Sequence, residues 1–356
     1  MWNQNDFTRL VGIEWPIVVA PMAGGPSTPE LVAAGSNAGA LGSFAAGYLP
    51  PASVREAVRE IRRRTARPFA VNFFAPSPLE RPPSPAEVER AQAALRPFRD
   101  EAGLGPPPAP SGLPRLEDQL DAALSEGFAV LSFTFGVLPP SLMERARRAG
   151  VILLGTATHE GEADLLEAAG VHAVVAQGAE AGGHRGTFVG PPERGLIGTM
   201  ALVPRLVRRV KVPVVASGGI GDGRGVAAAL ALGASAAQLG TAFLASAESG
   251  ASAPYKRAVA TPSEDDRTGL TRAFSGRLAR GLRNRFMERM EGQPVLPYPL
   301  QNSLTQDLRQ AAARTGNPEL LSLWAGQGPA PRQGASCSDI ILSLVRETEA
   351  ALGSLR

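Results

Sequence analysis

Short apolar runs alternate with alanine-rich helical stretches along most of the chain. The runs are apolar on both faces, which is typical of parallel strands covered by helices on both sides. The segments between them, such as 51–64 and 222–232, have helical patterns. Eight strands are predicted, at residues 17–21, 40–44, 69–73, 130–134, 151–155, 173–176, 214–217 and 236–239. Eight strand–helix units favour a closed TIM (β/α)8 barrel over an open doubly wound sheet.

Two segments interrupt the alternation. Segment 76–114, after the third strand, is rich in proline and contains one predicted helix, 85–102. Insertions of this length are usually functional or mobile, and we expect this one to lie over the barrel top. Beyond about residue 262 we expect loops and helices without strands, with part of a helical cap at 297–328. The sequence therefore predicts a barrel of residues 1–261 and a C-terminal capping segment of residues 262–356.

Composition narrows the class of protein. A chain of 356 residues with 44% hydrophobic residues is long enough to bury a large core. The formal net charge is only +3, and the basic residues are scattered without interleaved aromatic residues, so no nucleic-acid surface is predicted. No run approaches the roughly 20 apolar residues that cross a bilayer, and no signal peptide is recognisable. With Cys337 as the only cysteine, we expect a cytoplasmic protein without disulfides, bound to no membrane.

Glycines and polar residues follow the predicted strands with some regularity. In a barrel of this type, the loops at the carboxyl ends of the strands form the active site. We therefore expect these residues to converge on one site. They are Met22, Ala23 and Gly24 after the first strand, Asn72 in the third, Thr134 in the fourth, Gln177, Gly182 and Gly183 after the sixth, Ser217, Gly218 and Gly219 at the seventh, and Gln238, Leu239, Gly240 and Thr241 at the eighth.

The sequence QGAEAGGHRG, residues 177–186, is the most informative of these loops. Its two adjacent glycines allow the backbone to approach a ligand closely. The histidine beside them, His184, is of the residue type that exchanges protons near neutral pH, so we predict that it is catalytic. The other two histidines, His159 and His172, lack the spacing of metal ligands. We predict no metal site and expect these two at the surface or at helix caps.

The loops after the seventh and eighth strands predict a phosphate site. Backbone amides at Gly218, Gly219 and Gly240, together with a helix N-terminus, suit a phosphate group, and Thr241 adds a hydroxyl. The side-chain amides of Asn72 and Gln177 carry the donors and acceptors that suit the edge of a flat heterocycle such as a flavin. Hydrogen bonds within the protein at the strand ends explain these two amides equally well.

The motifs together resemble the nitronate monooxygenase family, formerly called 2-nitropropane dioxygenases, and its class I bacterial members in particular. The resemblance covers nearly the whole chain and is carried by residues 16–49, 70–76, 177–186, 214–244, 275–286 and 297–302. It implies non-covalently bound FMN. It also implies oxidation of alkyl nitronates such as propionate 3-nitronate, and of nitroalkanes, by dioxygen to a carbonyl compound and nitrite through a flavin semiquinone.

The resemblance also assigns roles to individual residues. The family's FMN contacts are matched by Asn72, Gln177, Gly182, Gly219 and residues 238–241, and the loop that lies against the flavin is matched by Met22, Ala23 and Gly24. His184 matches the family's active-site histidine, which would act as a general base on neutral nitroalkanes. Tyr298 lies where members have an aromatic residue near the substrate mouth. Thr134 stands where many relatives carry histidine, which makes it a substrate contact that departs from the family's pattern.

Two other functions share these features. An NAD(P)H-dependent flavin reductase, acting on enoyl thioesters or quinones, would have the same barrel and the same histidine loop. A non-catalytic barrel that binds phosphate or flavin would have the same glycines. The APMAGGPSTP sequence at 20–29 favours the monooxygenase. We expect small-molecule partners, a nitronate and dioxygen, and a monomer or a homodimer.

Overall fold

Eleven strands occur in the part of the chain that the computed structural model describes, residues 2–76, 81–263 and 265–354. In chain order they are β1 (Ile17–Val19), β2 (Gly42–Ala45), β3 (Phe69–Phe74), β4 (Val130–Thr134), β5 (Ile152–Ala157), β6 (Ala173–Gln177), β7 (Gly183–His184), β8 (Val214–Ser217), β9 (Ala236–Leu239), β10 (Thr268–Thr271) and β11 (Ala279–Leu282). The eight predicted strands all exist, and no end differs from its prediction by more than two residues. The first ends at Val19, before Pro21, which has no amide to donate.

Eight of these strands form one sheet in the order β1-β9-β8-β6-β5-β4-β3-β2, and every pairing is parallel. The two outer strands of that order also meet. Val18 and Leu41 form a parallel bridge, and the amide of Val19 donates to the carbonyl of Leu41 at 2.9 Å. The sheet thus closes on itself, and the predicted TIM barrel is confirmed.

Fifteen α-helices surround or follow the described strands. They are α1 (Asp6–Val11), α2 (Pro29–Asn37), α3 (Pro51–Arg64), α4 (Pro85–Glu101), α5 (Leu116–Leu124), α6 (Pro140–Arg148), α7 (Glu160–Ala168), α8 (Thr199–Arg209), α9 (Gly223–Ala231), α10 (Thr241–Leu244), α11 (Ala253–Ala260), α12 (Arg285–Arg289), α13 (Leu300–Leu304), α14 (Gln306–Thr315) and α15 (Cys337–Gly353). The final helix, α15, packs against α2 and α9, and its buried face joins the core of the barrel. Part of segment 262–356 therefore covers the barrel's outer side.

A small antiparallel sheet of order β10-β11-β7 lies outside the barrel. The expectation that no strands follow residue 262 is wrong, because β10 and β11 lie there. Each has only four residues and is interrupted by glycine, so neither has the apolar alternation of a recognisable strand. Both form strands because they pair with neighbouring segments. In β11, Ala279 lies opposite His184 and Arg280 lies opposite Gly183. The C-terminal segment thereby holds the histidine loop as an edge strand.

The insertion after β3 packs against the C-terminal segment. Ala91, Leu95 and Phe98 of α4 belong to one apolar cluster with residues from α10 to α14. Arg99, which is 3% exposed, donates to both carboxylate oxygens of Asp307 at 2.8 Å. Segment 76–114 was predicted to lie over the barrel top; its residues 77–80 fall outside the described part. The described part of this segment thus packs directly against the C-terminal segment, through α4 and the contact between Arg99 and Asp307.

In the three described ranges, every helix is either too short or too polar to cross a membrane. Nor does any group of three or more His, Cys, Asp and Glu side chains within those ranges have an arrangement suited to a metal ion.

Candidate active site

A cavity of about 700 Å³ opens where the barrel strands end. Most of the residues predicted for the site line it. They are Met22, Ala23, Gly24, Asn72, Thr134, Gln177, Gly182, Gly183, His184, Ser217, Gly218, Gly219, Gln238, Gly240 and Thr241. These predicted residues come from six of the eight barrel strands or from the loops that follow them, and they share one space, as the topology of the barrel requires.

Two predicted residues lie behind the cavity wall. The side chain of Leu239 is 1% exposed and packs in the barrel core. Tyr298 is buried, with its ring centroid 5.6 Å from that of His184 and 5.5 Å from that of Phe135. Its hydroxyl lies 3.3 Å from the hydroxyl of Tyr48, which does line the cavity. Tyr298 therefore reaches a ligand only through the side chains that it supports.

The glycines of the site serve two different purposes. At Gly24 (φ 89°) and Gly183 (φ 78°), an added Cβ would meet no protein atom within 4 Å, so both face open cavity. At Gly182, a Cβ would lie 2.6 Å from the carbonyl carbon of Ala325, so this glycine permits close contact between two backbone segments. Gly24 and Gly183 leave room for a ligand, whereas Gly182 leaves room for the backbone at Ala325.

Unpartnered backbone amides line the part of the cavity next to β8 and β9. Within the described residues, the amides of Gly219, Gly240 and Thr241 donate no hydrogen bond. The nearby helix N-terminus, that of α9, is already used: Glu347 accepts from the amide of Gly223 at 2.9 Å, and Asp222 caps the first turn. Carboxylates therefore occupy the start of α9, whereas the free amides lie in the loop after β8 and at the start of α10, whose first residue is Thr241.

The two side-chain amides of the site are used differently. Gln177 donates to the carbonyl of His184 at 3.0 Å and accepts from the amide of Gly186 at 2.7 Å, so it ties the histidine loop to β6. Asn72 donates to the hydroxyl of Ser132 at 2.9 Å, and no described group donates to its Oδ1. Two hydrogen bonds within the protein thus use both the nitrogen and the oxygen of the Gln177 side chain. The side-chain oxygen of Asn72 remains available to a ligand.

His184 is held on one edge by a serine. Its Nε2 lies 2.8 Å from Oγ of Ser275, and its ring centroid is 5.4 Å from that of Trp324. Burial, together with the charges of Arg277 and Arg309, lowers the pKa of His184 to about 3. From its residue type, this histidine was predicted to exchange protons near neutral pH. Burial instead keeps the ring neutral there, because an imidazolium would lie out of water beside two cations.

The electrostatics of the cavity favour an anion. Among the described lining residues, Arg309 is the only one with a permanent charge. It donates to the carbonyls of Thr305 and Asn302, at 3.2 and 2.8 Å, and forms no salt bridge within the described residues. Arg277 lies behind the wall, 3.9 Å from the ring centroid of Phe135, and likewise has no carboxylate partner there. Two uncompensated cations raise the potential of a low-dielectric cavity.

The remaining two histidines lie away from this space. His159 immediately precedes α7, is buried, and has Nε2 3.1 Å from the carbonyl of Val189. Nδ1 of His172 accepts from the amide of Leu153 at 2.9 Å. His159 thus occupies a helix-cap position, although it is not at the surface.

Sequence reasoning missed Arg309, Arg277, Ser275 and Tyr48 as components of the site. The segment 275–286 was noticed only as a motif, and nothing local distinguishes Arg309 from the many surface arginines. Three of these residues belong to the C-terminal segment, whose position over the barrel is set by tertiary packing.

The lowered pKa of His184 makes a prediction for stability. Its pKa is about 3 in the folded protein and about 6.5 in the unfolded chain. Between these values the unfolded chain binds a proton that the folded protein does not bind, so this residue makes stability fall as the pH falls. We expect the free energy of unfolding of His184→Asn to decrease less between pH 6 and pH 5 than that of the wild type, by about 1 kcal/mol. Urea unfolding at both pH values measures it, and equal slopes would contradict the burial argument.

The family model for nitronate monooxygenase matches residues 5–347 of this chain. The chain belongs to the nitronate monooxygenase family. A probable nitronate monooxygenase of Staphylococcus aureus strain JH9 is 43% identical to it over 338 residues, covering 92% of this chain and 93% of the relative. The protein from strain MSSA476 is 41% identical over 352 residues, covering 98% of both chains.

Solved structures agree with the family. A nitroalkane oxidase from Streptomyces ansochromogenes is 41% identical, has a TM-score of 0.91 and matches over 99% of this chain and 100% of its own. FabK from Thermotoga maritima is 30% identical, with a TM-score of 0.75 over 99% of this chain and 98% of its own. The family resemblance predicted from the sequence is thus confirmed. This member of the nitronate monooxygenase family is an oxidoreductase, and flavin use is expected for the family.

Proposed function

We propose that the protein oxidises alkyl nitronates with dioxygen, using bound FMN, and releases a carbonyl compound and nitrite. The observation that carries this proposal is the composition of one cavity, where glycine loops with free amides meet a neutral histidine and an unpaired arginine. The loops suit a phosphorylated, flat cofactor, and the positive potential suits an anionic substrate.

The described residues fit FMN. The phosphate would be held by the amides of Gly219, Gly240 and Thr241, which lack partners within the described protein. The open space beside Gly24 and Gly183 leaves room for a ring close to the backbone, and Oδ1 of Asn72, within β3, is a free acceptor among the described residues. When bound, the flavin would supply the redox chemistry, taking electrons from the substrate and passing them to dioxygen.

The charged groups support a nitronate as the substrate. A nitronate carries a negative charge, which Arg309 attracts from within the cavity and Arg277 from behind Phe135. Propionate 3-nitronate carries a second anionic group, a carboxylate, which suits the guanidinium of Arg309. The protein's part is to orient this anion beside His184 and to exclude water from it.

Neutral nitroalkanes fit the site less well. They must first lose a proton from the carbon next to the nitro group, and a general base works best when its pKa is near the working pH. The pKa of His184 is about 3, so this histidine is a weak base at pH 7. We therefore propose that the enzyme acts mainly on nitronates that are already ionised.

An oxygen-electrode assay tests the proposal. Purified protein is expected to be yellow and to consume dioxygen with propionate 3-nitronate at least about tenfold faster than with freshly dissolved 3-nitropropionate at pH 7, because the latter requires a base. NADH should cause no comparable consumption. A colourless protein that does not take up FMN would contradict the cofactor. Rapid anaerobic bleaching by NADH would instead indicate the reductase, and a yellow protein inert to every substrate would indicate a non-catalytic barrel.

We further propose that segment 81–114 and residues 262–336 together form the cap of this cavity. Ser111 and Pro114 from the first segment and Gln306 and Trp324 from the second line it. The hydroxyl of Ser303 accepts from the amide of Ser111 at 2.8 Å, which joins the two segments at the mouth.

A further inference from the structure

The serine that contacts the histidine lies in a fixed position. Ser275 is 1% exposed and follows β10, in the turn that leads to β11. Its Oγ has three polar neighbours within the described chain: Nε2 of His184 at 2.8 Å, the amide of Arg277 at 3.3 Å and the carbonyl of Arg277 at 3.2 Å. The turn therefore fixes the hydroxyl before any substrate binds.

The other nitrogen of the imidazole faces the ligand. No described group forms a hydrogen bond with Nδ1 of His184, and this atom is not enclosed by the protein. Because His184 lines the cavity, Nδ1 opens onto it. In a neutral imidazole, only one of the two nitrogens carries a proton. The state of Nε2 therefore decides whether the cavity receives an N–H donor or a lone pair.

The surroundings decide between the two tautomers. The single proton of Ser275 has two acceptors available, and the closer one is Nε2 of His184, at 2.8 Å against 3.2 Å for the carbonyl. The amide of Arg277 meanwhile donates to the same oxygen. The cavity attracts an anion through Arg309, and a lone pair on Nδ1 would repel that anion, whereas an N–H would bind it.

We propose that Ser275 is a positioning residue that donates its proton to Nε2 and thereby holds His184 as the Nδ1–H tautomer, which presents an N–H to the anionic substrate. This inference rests on the proposed function for the sign of the substrate's charge. Arg277 and Arg309 are the charged groups that act on the ring, and burial keeps the neighbouring phenol of Tyr298 protonated by raising its pKa. The histidine thus binds the anion while remaining neutral.

Nitrogen-15 NMR of the holoenzyme measures the tautomer of His184 and does not depend on enzyme activity. The chain has only three histidines, so labelling with ¹⁵N-histidine gives few resonances, and the His184→Asn variant identifies those of His184. In the wild type, Nδ1 of His184 is expected to be protonated and Nε2 to be unprotonated. In Ser275→Ala, Nε2 loses its donor, and the population should move towards the Nε2–H form that histidine prefers in water.

Steady-state kinetics provide a second, independent measurement of the role of Ser275. Ser275→Ala should raise KM for propionate 3-nitronate about tenfold, the usual effect of losing one hydrogen bond to a charged group, with a smaller change in kcat. Ser246→Ala is the matched control, because Ser246 is fully buried and its hydroxyl has no partner among the described residues; it should change neither reading. A wild-type His184 protonated on Nε2, or an unchanged tautomer in Ser275→Ala, would overturn the proposal. Absence of nitronate oxidation in a wild type with the expected tautomer would count against the proposed function alone.

Discussion

Replacing Gly183 by alanine is expected to abolish tight FMN binding and, with it, nitronate oxidation. Gly183 has a φ of 78°, and an added Cβ would point into the cavity, more than 4 Å from any protein atom outside the adjacent residues. The new methyl group would therefore meet only the cofactor. We expect the affinity for FMN to fall at least about a hundredfold, or roughly 2.7 kcal/mol. The flavin content after gel filtration and the Kd for added FMN measure the loss.

Gly292→Ala is the matched control for this substitution. Gly292 has a φ of 70°, also has no atom within 4 Å of its added Cβ, and lies away from the cavity in the turn after α12. Both variants are expected to lose about 1 kcal/mol of stability, since alanine is strained at positive φ. Only Gly183→Ala should lose FMN. If both variants bound FMN as tightly as the wild type, the ring would not lie beside Gly183.

Replacing Arg309 by methionine is expected to raise KM for propionate 3-nitronate about thirtyfold or more. Arg309 is the one permanently charged residue among the described residues of the cavity lining, and no carboxylate pairs with it there. Its charge is therefore free to act on the substrate, and losing one partner of a desolvated charge pair costs about 2 kcal/mol or more. Methionine keeps much of the length of the side chain, so packing changes less than charge. Steady-state oxygen consumption measures the effect.

Two comparisons isolate the cause. Propyl-1-nitronate has a similar size but lacks the carboxylate, so its KM should rise much less in Arg309→Met. Arg314→Met is the control on the same helix, because Arg314 is exposed at the last turn of α14, and it should behave like the wild type. Equal increases for the two nitronates would show that Arg309 does not recognise the carboxylate.

The parallel strands were predictable because they are buried on both faces. Most have a run of apolar residues, such as Ile17–Val19 in β1, and such runs are visible without any knowledge of the fold. Strands β10 and β11 were not predictable from pattern. Arg280 and Gly281 in β11 have no alternating apolar signal, and these residues become a strand only because they pair with neighbouring segments. Local sequence does not encode that pairing.

The residue types of the site were predictable from the sequence, but their protonation states and hydrogen-bond partners were not. The loop of residues 177–186 pointed to His184, yet its pKa is lowered first by burial in the folded protein and then by Arg277 and Arg309, which come about a hundred residues later in the chain. The same limit applies to Gln177. Its amide suits a ligand or the backbone equally well, and only the folded loop shows that it bonds the backbone.

The contact between Arg99 and Asp307 joins residues that are 208 positions apart in the chain. Around it, apolar side chains of α4 interlock with those of the C-terminal helices, so neither segment has a complete interior alone. A chimera that exchanged only the C-terminal part between two family members would pack Phe98 and Leu95 against side chains of different shape and volume, and would lose stability. Any swap intended to alter substrate preference must move both segments as one graft.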